Sequence, residues 1–259
     1  MPRRPIALSN WKMAMTVAEG LAFARELPPL AGELLDDIDV VICPPFTALW
    51  PIAQALRGSR LQLGGQNIAA DGDAARTGEI SAAQLAEAGC AWVLLGHWEV
   101  RRHLGDDDAV IGRKVRLALD AGLSPIVLVG EASDDDLPPA QAIERRLGRL
   151  LAGCQPHEVA GMALVYEPEL AAGRQAPTAP EHVAAACAAI RERVRAGWGE
   201  HAAEELRLIY GGSVGPEHAA DLLSSRDVDG LGAGRRGRDA ATFAEIVRQI
   251  ARAKLRYTT

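Results

Sequence analysis

Eight short, β-rich apolar runs recur along this 259-residue chain, and each is followed by a stretch that suits a helix. The runs cover residues 6–9, 39–43, 61–64, 92–95, 125–129, 161–166, 206–210 and 228–231. Ala- and Leu-rich segments such as 17–27, 181–196 and 240–254 carry helical periodicity between them. Strands that alternate with helices predict a parallel sheet with helical crossovers, and eight such units predict a closed (β/α)8 barrel of the α/β class. No long linker or composition break divides the chain, so residues 1–259 read as one barrel domain. The acidic run at 134–136 reads as a solvated helix start.

Charge narrows the function. The net charge is −6, so no global positive field draws in nucleic acid or an anionic membrane. An anionic substrate needs a local positive site. Cys43, Cys90, Cys154 and Cys187 are widely spaced and form no CxxC or Cys/His cluster, which argues against structural zinc and against a disulfide scaffold. The N-terminal apolar run is shorter than a secretory signal or a membrane span requires. A cytoplasmic protein with reduced thiols is expected.

A parallel barrel carries its chemistry where strands end and loops begin. Polar residues fall at those places. Asn10-Trp11-Lys12 follows the first run and Gly96-His97-Trp98-Glu99 the fourth. Tyr166-Glu167-Pro168 ends the sixth, Tyr210-Gly211-Gly212-Ser213-Val214 the seventh, and Gly232-Ala233-Gly234-Arg235 the eighth. Taken singly, each fits a blander role: a solvated lysine, a structural histidine, a water-facing glutamate, a plain glycine turn. Their joint placement on one rim favours a site.

These motifs, together with Thr77-Gly78-Glu79-Ile80-Ser81 and in this order, resemble those of the triosephosphate isomerase family over essentially the whole chain. The resemblance implies a (β/α)8 barrel, usually a homodimer, that needs no metal or organic cofactor. The roles it implies are the family's own, a worked case of tuned acid–base chemistry. Glu167 matches the base that moves a proton between adjacent carbons of a phosphorylated sugar, and His97 the neutral imidazole that stabilises the enediolate oxygen. Lys12 matches the cation, Asn10 a hydrogen-bonding partner that orients it, and Glu99 a carboxylate that ties down Lys12 or His97. Backbone amides at Gly173, Gly212, Ser213, Gly234 and Arg235 would cradle the phosphate. Residues 168–178 correspond to a closing lid that excludes water. Loop 71–79, with Thr77, Gly78 and Glu79, corresponds to the dimer-contact loop.

The departures from the family pattern cluster near the pocket. Trp98 stands where serine is usual and Val100 where arginine is usual. Glu169 and Leu170 replace an aliphatic residue and a tryptophan at the lid's leading hinge. Ala172 replaces isoleucine, Gln175 a glycine, Gly232 a leucine, and Arg235 the second glycine of a pair. At about 0.8 kcal/mol per buried CH2, the bulk missing at Ala172 and Gly232 weakens lid closure by a few kcal/mol. A less dehydrated Glu167 is then expected to be a weaker base, unless a larger substrate, Trp98 or Arg235 fills the space. Three functions fit: interconversion of dihydroxyacetone phosphate and glyceraldehyde 3-phosphate; isomerisation of L-erythrulose 1-phosphate in an enlarged pocket; and a noncatalytic sugar-phosphate-binding barrel. The intact Asn10, Lys12, His97 and Glu167 speak against the last.

Overall fold

The computed structural model describes residues 3–72 and 75–255. Its eight strands are β1 (Ile6–Asn10), β2 (Asp39–Cys43), β3 (Gln62–Gly65), β4 (Trp92–Leu95), β5 (Ser124–Val129), β6 (Ala163–Tyr166), β7 (Arg207–Gly211) and β8 (Gly230–Ala233). All pair in parallel and in chain order, and β1 closes on β8 with Ile6 opposite Gly230. The barrel expected from the alternation is therefore present. Closure depends on a glycine: a Cβ at position 230 would run into the Ile6 carbonyl oxygen.

Side chains alternate along each strand and build two core layers. Ile6, Leu8, Val41, Leu94, Leu128 and Ile209 are among those that fill the barrel. Ala7, Val40, Ile42, Val93 and Leu164 point outward against the helices. The helix Val17–Ala31 starts at a reciprocal cap between Thr16 and Glu19, and Ala240–Lys254 starts where Asp239 accepts the Thr242 N–H at 2.8 Å.

Several boundaries shift from expectation. The sixth strand begins at Ala163, since the short helix Pro156–Ala160 uses Gly161 at its C-terminus. The eighth moves to Gly230–Ala233. Asp229 is instead engaged at the bottom seam, where its amide donates to Leu208 O and its carbonyl accepts from Ile6 N. The helix expected at 181–196 runs from Pro180 to Glu205, broken at Gly199, whose φ is 89°. The acidic run at 134–136 is not a helix start; that helix begins at Pro139. Asp135 is half-buried and accepts from Ala132 N and Arg145, while Asp134 pairs with Arg102.

Opposite the strand C-termini, the barrel floor is ionic. Asp39 accepts from Arg4, Arg207 and Gln62 at 2.7, 2.7 and 2.9 Å. Asp229 holds Arg3 at 2.7 Å, Arg191 at 2.9 Å and the Leu208 amide at 2.8 Å. All four cysteines are free and buried. Burial raises their thiol pKa values, to about 12 for Cys90 and Cys187. Among the described residues no helix is long and apolar enough to cross a membrane.

Candidate active site

The strand C-termini surround a cavity of about 630 Å³. Asn10, Lys12, His97, Glu99 and Glu167 line it together with Gly173, Gly212, Ser213, Gly234 and Arg235. Residues spread from position 10 to 235 thus meet at one place. Lys12 and Ser213 are the non-glycine residues with positive φ among those described, at 54° and 55°. Such backbone costs roughly 1–3 kcal/mol and persists where the surroundings enforce it.

Local hydrogen bonds supply that enforcement at Lys12. Its amide donates to Asn10 Oδ1 at 3.0 Å, and its carbonyl accepts from Gln66 Nε2 at 3.0 Å. Gln66 also reaches Cys43 O at 2.9 Å, which fixes the turn to β2. The Lys12 ammonium then extends to Glu99 Oε1 at 2.7 Å.

His97 follows β4 and caps the helix Trp98–Leu104, its Nδ1 accepting the Glu99 N–H at 3.2 Å. An accepting Nδ1 places the ring proton on Nε2. The ring is 7% exposed. Burial, and next the Lys12 charge, lower its pKa to about 4, against an opposing pull from Glu99. The imidazole is neutral near pH 7, so its approach to Glu99 Oε2 at 3.4 Å is no ion pair.

Glu167 directly follows β6 and is 8% exposed. Its amide donates to Val129 O at 3.0 Å. Burial lifts its carboxyl pKa to about 7, with Lys12 pulling the other way and Glu99 adding to the rise. The dehydration expected to fail with small residues at 172 and 232 is therefore in place. The carboxylate lies against Gly211, where a Cβ would come within 3.0 Å of Glu167 Oε2.

The anion side of the cavity is built from turns. Gly173 and Gly212 have φ of 76° and 113°, and Gly234 leads into a single 3-10 turn, Arg235–Arg238. The lid lies against this wall: Ser213 Oγ donates to Arg174 O at 2.5 Å, and Tyr210 Oη accepts from Thr178 N at 2.8 Å. Its leading hinge is anchored by charge. Arg102 grips both carboxylate oxygens of Glu169, at 2.5 and 2.6 Å, and Ser133 N donates to the same group at 2.6 Å. Arg102 holds the Glu169 pKa down to about 2. Leu170, at the position of a usual tryptophan, is 60% exposed.

Trp98 does not fill the pocket. It is buried beneath the site and donates its indole N–H to the Glu167 carbonyl at 2.8 Å. The space at Gly232 stays open, since a Cβ there meets nothing nearer than Leu8 Cδ2 at 3.6 Å. Thr77, Gly78 and Glu79 are exposed and lie outside the cavity, and residues 73–74 of their loop fall outside the described region. Gln66, Arg102 and the lid-holding role of Tyr210 were missed by sequence reasoning, because each acts on a partner distant in the chain. Among the described residues no three His, Cys, Asp or Glu side chains are placed to bind a metal ion.

Comparison with known proteins agrees with this arrangement. The family model described as Triosephosphate isomerase matches residues 5–250. The chain is 42% identical to the triosephosphate isomerase of Symbiobacterium thermophilum, covering 98% of this chain and 100% of that one. It is 39% identical to that of Herpetosiphon aurantiacus, covering 95% and 99%. The crystal structure of triosephosphate isomerase from Bartonella henselae superposes with a TM-score of 0.84 at 32% identity, covering 96% and 99% of the two chains.

Proposed function

The chain belongs to the triosephosphate isomerase family, and from that premise we propose that it interconverts dihydroxyacetone phosphate and glyceraldehyde 3-phosphate at the rim of its barrel. Glu167 takes the proton from the carbon beside the substrate carbonyl and returns it to the neighbouring carbon. The intermediate is an enediolate stabilised by the Lys12 charge; His97 Nε2 gives its proton to the former carbonyl oxygen and regains one from the neighbouring hydroxyl, which becomes the new carbonyl. A base of pKa near 7 suits the step, because it is ionised near neutrality yet basic enough to accept a proton from carbon. Asn10 and Glu99 hold Lys12 in place. The proton leaves carbon and returns to carbon with no net change in oxidation state, so the step balances without a cofactor.

The phosphate would sit against the amides of Gly173, Gly212, Ser213 and Gly234, with Arg235 at the rim. Thr77, Gly78 and Glu79 would contact a second copy of the chain in a homodimer. Four buried free thiols support a cytoplasmic location.

The observation that carries the reading is the convergence of Lys12, His97 and Glu167 on one cavity. Glu167→Asp, which withdraws the carboxylate by one methylene, is expected to cut kcat by about 100-fold while inorganic phosphate inhibits as before. Unchanged turnover would remove Glu167 as the base. The open space at Gly232 favours L-erythrulose 1-phosphate as a second reading. The ratio of kcat/KM for the two sugars decides between them.

A further inference from the structure

The helix Trp98–Leu104 begins one residue after His97. Its first side chain turns away from the cavity and is 5% exposed. Two guanidinium groups pack on the Trp98 ring, Arg101 at 5.6 Å and Arg146 at 5.3 Å from its centroid. Both arginines reach Asp108 Oδ1, at 2.6 and 3.3 Å. Each is also bonded to main chain at the site's edge: Arg101 to Gly96 O at 2.9 Å, and Arg146 to Gly130 O. The indole is thereby held by two cations that share one carboxylate oxygen, and the direction of its N–H is held with it. That N–H meets the Glu167 carbonyl at 2.8 Å.

The carbonyl it holds belongs to the peptide between Glu167 and Pro168, the joint between base and lid. Two residues further on, Glu169 is gripped by Arg102 from the same short helix. The stretch Glu167–Glu169 is thus tied at two points to the element that starts at the imidazole. Resting on the isomerase reading above, we propose that Trp98 and Arg102 are positioning residues, which hold the Glu167 main chain so that its carboxylate stays within reach of the substrate carbon. Neither side chain lines the cavity. Their effect on chemistry runs through placement, where an error of about 1 Å costs up to about 100-fold in rate.

The test uses the full-length protein, glyceraldehyde 3-phosphate as substrate, and three variants. W98F keeps an aromatic ring against the arginines and removes the N–H. R102Q removes the charged grip on Glu169, which keeps its bonds to Ser133, without disturbing the core, and so covers the case in which W98F does not fold. E167Q reports on the base itself. Expected are a fall in kcat of about 10-fold for W98F, or of about 3- to 10-fold for R102Q, with KM within about twofold of the parent. Parent-like kcat in every folded variant of Trp98 and Arg102, or a loss confined to KM, overturns the proposal. If E167Q turns over like the parent, the isomerase reading fails instead, whatever W98F does.

Discussion

Lys12 Nζ and Glu99 Oε1 stand 2.7 Å apart, so the ammonium group facing the cavity is already balanced by a carboxylate. The same carboxylate partly offsets the fall that burial and Lys12 impose on the His97 pKa, and adds to the rise that burial gives Glu167. Glu99→Gln removes this charge without changing shape. The acid limb of kcat/KM, set by Glu167 near pH 7, should then move to lower pH, and kcat should fall as Lys12 loses its tether. An acid limb that stays in place would show that the Glu99 charge does not reach the base.

The pH dependence of stability follows from the same two buried groups. Glu167 has a folded pKa of about 7 against an ordinary 4.5. Folding is thus favoured while the group is protonated, and that contribution is lost as pH rises from about 4.5 through about 7. The loss amounts to about 3 kcal/mol at pH 8, at 1.36 kcal/mol per pKa unit. Glu167→Gln should therefore resist urea better than the parent at pH 8 and no better at pH 4.5. His97 has the opposite sign: its folded pKa of about 4 lies below the ordinary 6.5. Its contribution is complete above about pH 6.5 and disappears as pH falls through about 4.

Two glycines of the cavity wall should respond differently. A Cβ at Gly211 would come within 2.8 Å of Val165 Cγ1 and 3.0 Å of Glu167 Oε2. Gly211→Ala is expected to displace the carboxylate and lower kcat by about 100-fold. Gly232→Leu has room for its Cβ, with the nearest neighbour at 3.6 Å. It should fold normally and lower kcat/KM for L-erythrulose 1-phosphate more than for glyceraldehyde 3-phosphate. Both are read by steady-state kinetics, with circular dichroism as the folding control.

The barrel floor offers a stability test remote from the chemistry. Asp229 and Arg191 are both buried and meet at 2.9 Å. Asp229→Ala leaves Arg191 with Asp227 at 2.8 Å but strips a buried acceptor from Arg191, Arg3 and the Leu208 amide, and should cost about 1–3 kcal/mol in urea unfolding. Turnover in the absence of denaturant should match the parent, because the pair lies at the opposite end of the strands.

The sequence pattern revealed the barrel because strand and helix periods alternate without interruption. The ranges 39–43, 92–95 and 240–254 match the observed elements residue for residue. Errors arose where a polar group diverted the backbone, as at Asp229 and at the acidic run before Pro139. In the site, motif residues at strand ends were legible because barrel topology dictates where such ends point. The tie between Trp98 and Glu167 spans 69 positions, and that between Arg102 and Glu169 spans 67. No local spacing encodes such pairs; they emerge only when neighbouring loops are brought together.

The buried cysteines give the molecule a built-in set of chemical timers. Cys43 closes β2, Cys90 precedes β4, Cys154 follows the helix Pro139–Leu150, and Cys187 sits within Pro180–Glu205. An alkylating reagent attacks only the thiolate, and burial disfavours that form at all four. Each sulfur therefore reacts only when its own sector breathes. The slowest of the four labelling rates marks the opening of the whole barrel, and the faster ones map which sectors detach first.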